Sequence, residues 1–417
     1  MAEKLKVKVK PLAVLDLIDF KHLVPGRKKR FREASPVCPA GVPPMNALAA
    51  RLHPVRQHLV IREAAEIAPG VRTFTLVPDE TKGTAELAYF RAGQYLSIKA
   101  DVNGVPVTRP YSLSPSAIRR AKRRASTAAE SLKGYYQITV KKQEKGFVTD
   151  YIFDNWAPGT AVEASGPEGH FYYERLRECR HIAGIAGGSG ITPFISMARQ
   201  FQKDGFPVSF TLFYGCNCRS DILFREELDA LERSGGGRFK AVYVLCREKD
   251  ECAEEGFVTA ELIKKYVDPG RCSFFICGPQ AMYEFVAKEL AIFGLPQKQV
   301  RREVFGEIKN VTHRADYPGN VPESFKLTVT MNGKTVEIPA LREESLLVAM
   351  ERAGLKPPSK CRSGVCSFCR SELIGGDVFI PADTDGRRAA DKEYSFIHPC
   401  SSYPLSDVKL IVPGDEV

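Results

Sequence analysis

The sequence predicts a multi-domain chain: an antiparallel β-barrel, then a doubly wound α/β domain, then a compact α+β unit. Three observations carry this expectation. From Val55 onward, "VRQHLVIREAAEIAPGVRTFTLVPDE" and "GQYLSIKADVNGVPVTRPYSLS" alternate apolar and polar residues between Gly, Pro and Asn breaks, the pattern of half-buried antiparallel strands. Beyond residue 180, the apolar runs "VSFTLFYG", "FKAVYVLCRE" and "CSFFICGP" alternate with helical stretches such as "REELDALERS" and "QAMYEFVAKELAIFG". Strands alternating with helices call for a parallel sheet covered on both faces. Residues 326–417 then hold "KCRSGVCSFC", three cysteines within nine positions.

The elements follow in order. Residues 1–56 contain the basic run "GRKKRFR" and the proline-rich "SPVCPAGVPP" and read as an extended arm. The barrel is expected over 57–175, interrupted at 117–133 by "AIRRAKRRASTAAESLK", whose Ala and Arg content predicts an exposed helix. The α/β domain is expected over 176–308, a linker over 309–325 and the last unit over 326–417. In that unit "FKLTVTMNGKTVEIPA" predicts a β-hairpin turning at Asn332-Gly333, and "SLLVAMERAG" an amphipathic helix just before the cysteines.

Composition narrows the classes of function. A chain of 417 residues with 44% hydrophobic residues has material for several cores. No apolar run reaches the roughly 18 residues that a bilayer span needs. The start, "MAEKLKVKVKPLAVLDLIDF", is broken by Asp16 and Asp19 and is no secretory signal, so a soluble, cytoplasmic protein is expected. The net charge of +10 is local: residues 1–56 carry +8, residues 117–133 carry +5, and the remainder sums to −3. No nucleic-acid reader motif accompanies that charge, which argues against nucleic-acid binding. The two basic segments suit either an acidic partner or plain solvation.

Twelve cysteines in a reducing compartment point to metal where they cluster and to buried thiols where they scatter, as for Cys38 and seven others. The cluster reads Cys361-x4-Cys366-x2-Cys369, with Cys400 following 31 residues later. A zinc ribbon would show two separated pairs. Three thiols on one loop with a distant fourth match the plant-type [2Fe–2S] spacing, and thiolates are the soft anionic ligands that such a cluster needs. Gly364 permits the tight turns of that loop.

Four further stretches suit flavin and nucleotide chemistry, and each alone is weak. "RPYS", Arg109 to Ser112, offers a guanidinium for phosphate, a ring for a flat heterocycle and a hydroxyl for a ring nitrogen, and reads equally as an ordinary strand end. "KGFVTDYI" places Gly146 and Thr149 where a helix begins, a natural phosphate site. "GIAGGSGITP" is a glycine turn between strand and helix, though not the G-x-G-x-x-G fingerprint. "CGP", residues 277–279, ends a strand where ligands bind in open α/β sheets.

Taken together and in this order, the stretches resemble the ferredoxin–NADP reductase superfamily over residues 57–307, and the C-terminal region resembles its plant-type ferredoxin domain, a β-grasp fold. The resemblance implies that Cys361, Cys366, Cys369 and Cys400 ligate a [2Fe–2S] cluster. It implies that Arg109 binds flavin phosphate, with Pro110 in the same motif, that Tyr111 packs on the ring, and that Ser112 lies near the reacting nitrogen. Gly146, Val148 and Thr149 would cradle the pyrophosphate of FAD, which the motifs favour over FMN. Gly187, Gly188, Gly190 and Thr192 would hold NADH or NADPH. Cys277, with Gly278 and Pro279, would lie beside the nicotinamide, and Glu303 and Phe305 near the flavin. Ser112, Cys277 and Glu303 are the candidate catalytic residues. Ser367-Phe368 departs from the Gly and small residue that many members carry after the second cysteine.

The implied function is electron transfer from NAD(P)H to FAD, then singly to the cluster, then to a separate acceptor protein such as an oxygenase. Alternatives are a non-catalytic relay subunit held among sister subunits by the basic segments, and direct reduction of a small substrate at the flavin. Arg219 and Arg247 suit a 2′-phosphate, whereas Asp221 suits a free ribose, so the choice of coenzyme stays open at this level.

Overall fold

The computed structural model describes residues 14–33, 41–102, 104–115, 134–144 and 146–414. The helix expected at 117–133, and Cys38, lie outside the described residues. Contacts divide the chain between Ala49 and Ala50.

The extended arm is a correction. Residues 14–33 form helix α1 (Val14–Glu33) and residues 44–52 form α2 (Pro44–Leu52). Between its prolines this stretch carries Leu, Ala, Lys and Arg, whose straight or small side chains lose little freedom in a helix. Pro25 lies inside α1 and Pro44 opens α2, a position where its missing N–H costs nothing.

The first large layer is an antiparallel sheet of β1 (Gln57–Ala68), β2 (Val71–Pro78), β3 (Tyr95–Val102), β4 (Val105–Ser112), β5 (Tyr136–Lys141) and β6 (Ala161–Ala164), ordered β4-β3-β6-β1-β2-β5. A bridge between Leu113 and Ile138, with Ser114 N–H donating to the Gln137 carbonyl at 2.9 Å, joins the two ends into a barrel. Leu59, Ile61, Phe74, Leu96, Ile98 and Ile138 fill its interior, each at most 1% exposed. Helix α3 (Phe147–Asn155) plugs the barrel with Val148 and Ile152.

The second layer is a parallel sheet of β7 (His181–Gly187), β8 (Ser209–Cys216), β9 (Phe239–Leu245), β10 (Glu254–Glu255), β11 (Cys272–Cys277) and β12 (Val300–Arg302), ordered β10-β9-β8-β7-β11-β12. Helices α4 (Thr192–Lys203), α5 (Arg225–Ser234), α6 (Ala260–Tyr266) and α7 (Gln280–Ala291) cover it. The strand order reverses direction at β7, so the carboxyl ends of β7 and β11 open a crevice of the kind that takes ligands.

The third unit is a mixed sheet of β13 (Ser324–Met331), β14 (Lys334–Leu341), β15 (Ser371–Gly375), β17 (Phe396–Ile397) and β19 (Val408–Val412), ordered β14-β13-β19-β15-β17, with a small β16 (Val378–Phe379) and β18 (Tyr403–Pro404) pair beside it. Asn332 and Gly333 turn the hairpin with φ of 51° and 72°, the two positive angles a type I′ turn requires. Helix α8 (Leu346–Arg352) starts at Ser345, whose hydroxyl accepts from Val348 N–H, and a short α9 (Ala389–Glu393) follows the cysteine loop. The linker is fastened to this unit. Ile308 and Val311 pack with Tyr403, whose hydroxyl donates to the Ile308 carbonyl at 3.1 Å, and Arg314 pairs with Asp383 at 2.9 Å.

Candidate active site and metal centre

Arg109 and Tyr111 lie on β4, which pairs with β3 so that Arg109 stands opposite Ile98 and Tyr111 opposite Leu96. The period of two puts both side chains on one face and Pro110 and Ser112 on the other. The Arg109 guanidinium donates to the Thr108 carbonyl at 2.9 Å and, among the described residues, has no carboxylate within ion-pair distance. Burial and the neighbouring Arg362 guanidinium lower its pKa, opposed by Glu307 and Glu351. A half-buried cation with no carboxylate partner of its own suits a phosphate. Gly146 caps α3 with no side-chain bond to the first turn, and a Cβ there would lie 2.1 Å from Thr149 Oγ1. The first-turn N–H groups, including those of Val148 and Thr149, therefore have no side-chain cap and suit a phosphate.

The glycine turn lies where β7 meets α4. Gly188 takes φ of 52° with open space where a side chain would stand, whereas a Cβ on Gly187 would meet Met282 and Pro279 at 2.7–2.8 Å. A Cβ on Gly190 would come within 2.3 Å of the Cys277 carbonyl oxygen. Thr192 donates from Oγ1 to the Ser189 carbonyl at 2.8 Å and opens α4, with Pro193 next. The nucleotide turn and the "CGP" turn thus touch backbone to backbone.

Cys277 ends β11 in full burial, which pushes its thiol pKa well up. Beyond β12, Glu303 is also fully buried. Burial holds its carboxyl pKa far above the usual range, Ser112 is its hydrogen-bond partner, and Oε2 has none. An orphaned buried carboxyl oxygen among "RPYS" and "CGP" residues marks a place built for another polar group. Phe305 stacks edge-on against Tyr95 at 5.3 Å, and the Tyr95 ring lies on Gly169. Ser112, Cys277, Glu303 and Phe305 are therefore gathered, and the residues present fit a flavin and a nicotinamide between barrel and crevice.

The raised carboxyl has a testable sign. A folded-state pKa above the unfolded value gives stability that is complete below the unfolded value and lost as pH climbs toward the folded one. Glu303→Gln, a neutral isostere, should therefore gain in Tm over flavin-stripped wild type as pH rises from about 5 to about 9. Thermal denaturation across that range checks it, and a constant difference would remove the inference.

Tyr283 was not legible in the sequence. Its hydroxyl donates to the Glu303 carbonyl and accepts from Gly278 N–H at 3.1 Å, tying the Cys277 and Glu303 turns together. Tyr214 does the same for the glycine turn, donating to the Gly188 carbonyl at 3.0 Å and accepting from Leu223 N–H. Neither lies in a motif. Each is a lone tyrosine in an apolar run, which reads as core.

The four cysteines converge on one loop. Ser363 and Cys366 N–H donate to Cys361 Sγ at 3.5 and 3.4 Å, Gly364 N–H donates to Cys400 Sγ at 3.2 Å, and the Cys369 and Cys400 thiols are in contact at 3.4 Å. Bonds from the Cys366 and Cys400 thiols and from those N–H groups hold the Cys361 pKa well down. Among the described residues no group of three or more ligands closes on a single metal ion. Cys361 instead touches both Cys366 and Cys400, and Cys400 touches Cys369, so the four thiols gather in one chain, four soft donors of the kind a two-iron cluster needs. Gly364 has φ of 79°, and a Cβ there would strike the Thr384 carbonyl at 2.4 Å. Ser367, at φ of 60°, holds the left-handed conformation that a glycine takes more cheaply, by roughly 1–2 kcal/mol.

Comparison with known proteins accords with this geometry. An oxidoreductase FAD-binding domain family matches residues 58–173, an oxidoreductase NAD-binding domain family residues 185–288, and a 2Fe-2S iron-sulfur cluster binding domain family residues 329–405. The three domains stand in the order of the ferredoxin–NADP reductase superfamily. The reductase carries FAD, NAD(P)H and [2Fe–2S] domains in that order and is an oxidoreductase that passes electrons from NAD(P)H through them to a separate acceptor protein. It is 29% identical to one component of the 1,2-phenylacetyl-CoA epoxidase of Escherichia coli (strain K12) over 76% of this chain and 87% of that one. It is 24% identical to the glycine betaine monooxygenase reductase subunit of Chromohalobacter salexigens over 86% and 95%. The structure of phthalate dioxygenase reductase superposes with a TM-score of 0.59 at 26% identity, covering 86% of the reductase and 98% of that chain. Among the described residues of the reductase no helix is long and apolar enough to cross a membrane.

Proposed function

We propose that the reductase is the NADH-oxidising component of a cytoplasmic oxygenase system, delivering single electrons from its cluster domain to a separate oxygenase. The observation that carries this is the seat of the cluster loop. Helix α8 packs on β4, the strand that bears Arg109 and Tyr111, and the Tyr95 phenol is close enough to Cys361, Cys366, Glu168 and Glu303 to be influenced by all four. Flavin and cluster sites are neighbours, so electrons entering at the nucleotide crevice have a short way to the ferredoxin domain. When bound, FAD accepts the two electrons of a reduced nicotinamide and an iron–sulfur cluster takes them one at a time. The chain's own task is to align the rings and to close them off from water.

The coenzyme follows from charge. In the turns that follow β8 and β9, Asp250 holds the guanidinium of Arg219 at 2.8 Å and lies 3.6 Å from that of Arg225, while Glu248 accepts from Arg219 N–H at 2.7 Å. With Asp221 beside them, three carboxylates stand in the region where a ribose 2′ position would fall, and two of them already engage Arg219, which leaves that guanidinium less available to a 2′-phosphate. Arg219 and Arg247 are both exposed and are the cations that would favour NADPH, Arg219 being already paired with Asp250. The exposed cations Lys28, Arg30 and Arg32 of α1 suit an acidic face on the oxygenase.

Anaerobic visible-absorbance titrations with NADH and NADPH test the reading. Stoichiometric NADH should bleach the flavin and iron–sulfur bands, with NADPH needing at least about tenfold more. Flavin bleaching alone would make the protein a direct flavin reductase with a silent cluster. No bleaching with either coenzyme would make it a relay subunit.

A further inference from the structure

The residues on either side of the first cluster ligand are both cations, and each is paired with a carboxylate outside the ferredoxin domain. Lys360 Nζ pairs with Glu168 of the barrel, 192 residues away, in the turn between β6 and β7, and Glu168 Oε2 also accepts from Ser97 of β3 at 3.3 Å. Arg362 pairs with Glu307, on the segment that leaves the nucleotide domain after Phe305. The Arg362 side chain is fully buried and also grips Glu351 of α8 through both terminal nitrogens, at 2.5 and 2.7 Å. Phe368, the bulky residue in the cluster loop, lies under Lys360 Nζ at 4.2 Å from its centroid.

We propose that Lys360–Glu168 and Arg362–Glu307 form an electrostatic clamp on Cys361 that fixes the cluster edge against the flavin domain, so that Glu168 and Glu307 are positioning residues for flavin-to-cluster electron transfer. This rests on the electron path proposed above. Three features distinguish the pairs from ordinary surface bridges. The Lys360 and Glu168 side chains are only 19% and 21% exposed, and those of Arg362 and Glu307 are 0% and 18% exposed, so water screens neither pair well. The two carboxylates come from two different domains, and a loop held from both sides loses the freedom to rock. Arg362 takes the left-handed conformation, φ 57°, which turns its side chain inward from a loop whose backbone N–H groups face the sulfurs. Phe368 supplies a ring that keeps Lys360 extended over the loop, and so gives the departure from the family's small residue a use. Transfer between two centres slows as their separation grows, so a loop free to rock away from the flavin domain passes electrons more slowly.

Stopped-flow absorbance on the anaerobic full-length holoprotein separates the steps, flavin bleaching by NADH reporting the first and cluster bleaching the second. In Glu168→Gln and Glu307→Gln the first step should stay within about twofold of wild type, while the second falls at least about tenfold. The reversed pair Glu168→Lys with Lys360→Glu should bring the second step back to within about threefold, a recovery that a purely structural role would not produce. Cluster content is followed by visible circular dichroism. Should Glu307→Gln lose its cluster, Glu168→Gln and the reversed pair decide the matter. Unchanged second steps, equal loss in both steps, or failure of the reversed pair to recover would each overturn the clamp. Absence of cluster bleaching in wild type would instead overturn the electron path itself.

Discussion

Replacing Cys400 by alanine is expected to stop electron delivery through the cluster domain while NADH still bleaches the flavin. The thiol is fully buried, in contact with Cys369, and accepts the Gly364 N–H. Its removal would take away one of the four thiolates that would hold the cluster. Loss of a residue that merely supports a metal ligand already costs roughly 10–100-fold, and loss of the ligand itself costs more. Reduction of cytochrome c, which draws electrons one at a time, should fall by at least about a hundredfold. Reduction of ferricyanide, which can draw on the flavin, should fall by less than about threefold, because Cys400 lies far in sequence and contact from the nucleotide crevice. Iron analysis gives the independent readout. A variant that keeps full iron and full cytochrome c activity would remove Cys400 from the ligand set.

The second large effect is expected at Gly190. A methyl group there would lie 2.3 Å from the Cys277 carbonyl oxygen, 2.6 Å from its carbon and 2.7 Å from Gly278 Cα. All three atoms are backbone at the end of a central strand, so none can swing aside as a side-chain tip could. Gly190→Ala must push apart the two turns that would hold the nicotinamide dinucleotide. The expected result is a KM for NADH raised at least about tenfold and a stability loss of about 1–3 kcal/mol, the usual range for overpacking. Steady-state kinetics and denaturant unfolding check both. Gly188→Ala is the control, since its added carbon points into open space and its cost is that of the positive φ alone.

Much of the candidate site was legible because its parts are short and local. Four residues of "RPYS", one glycine turn and one cysteine loop each carry their chemistry within a few positions, and strand or helix periodicity places them. The Asn332-Gly333 hairpin was readable for the same reason. What could not be read depends on contacts between distant positions. Tyr283 meets Glu303 20 residues on, Arg362 meets Glu351 and Glu307, and Lys360 meets Glu168 across 192 residues. No local pattern fixes such partners, since they follow from how domains dock. The cations flanking Cys361 were the one available hint. At the N-terminus the prolines drew attention to extended chain, whereas helix propensity on either side of them prevailed.

The barrel's closing bond has a consequence for what the chain can carry. Leu113 and Ile138 are paired and Ser114 is bonded to Gln137, so the chain leaves and re-enters the barrel at neighbouring points. For a flexible connection between two points held that close, closure costs grow only as the logarithm of its length, about 0.6 kcal/mol for each doubling. The barrel's closure is fastened by Leu113, Ser114, Gln137 and Ile138, which makes the junction they form a natural point at which to graft added chain.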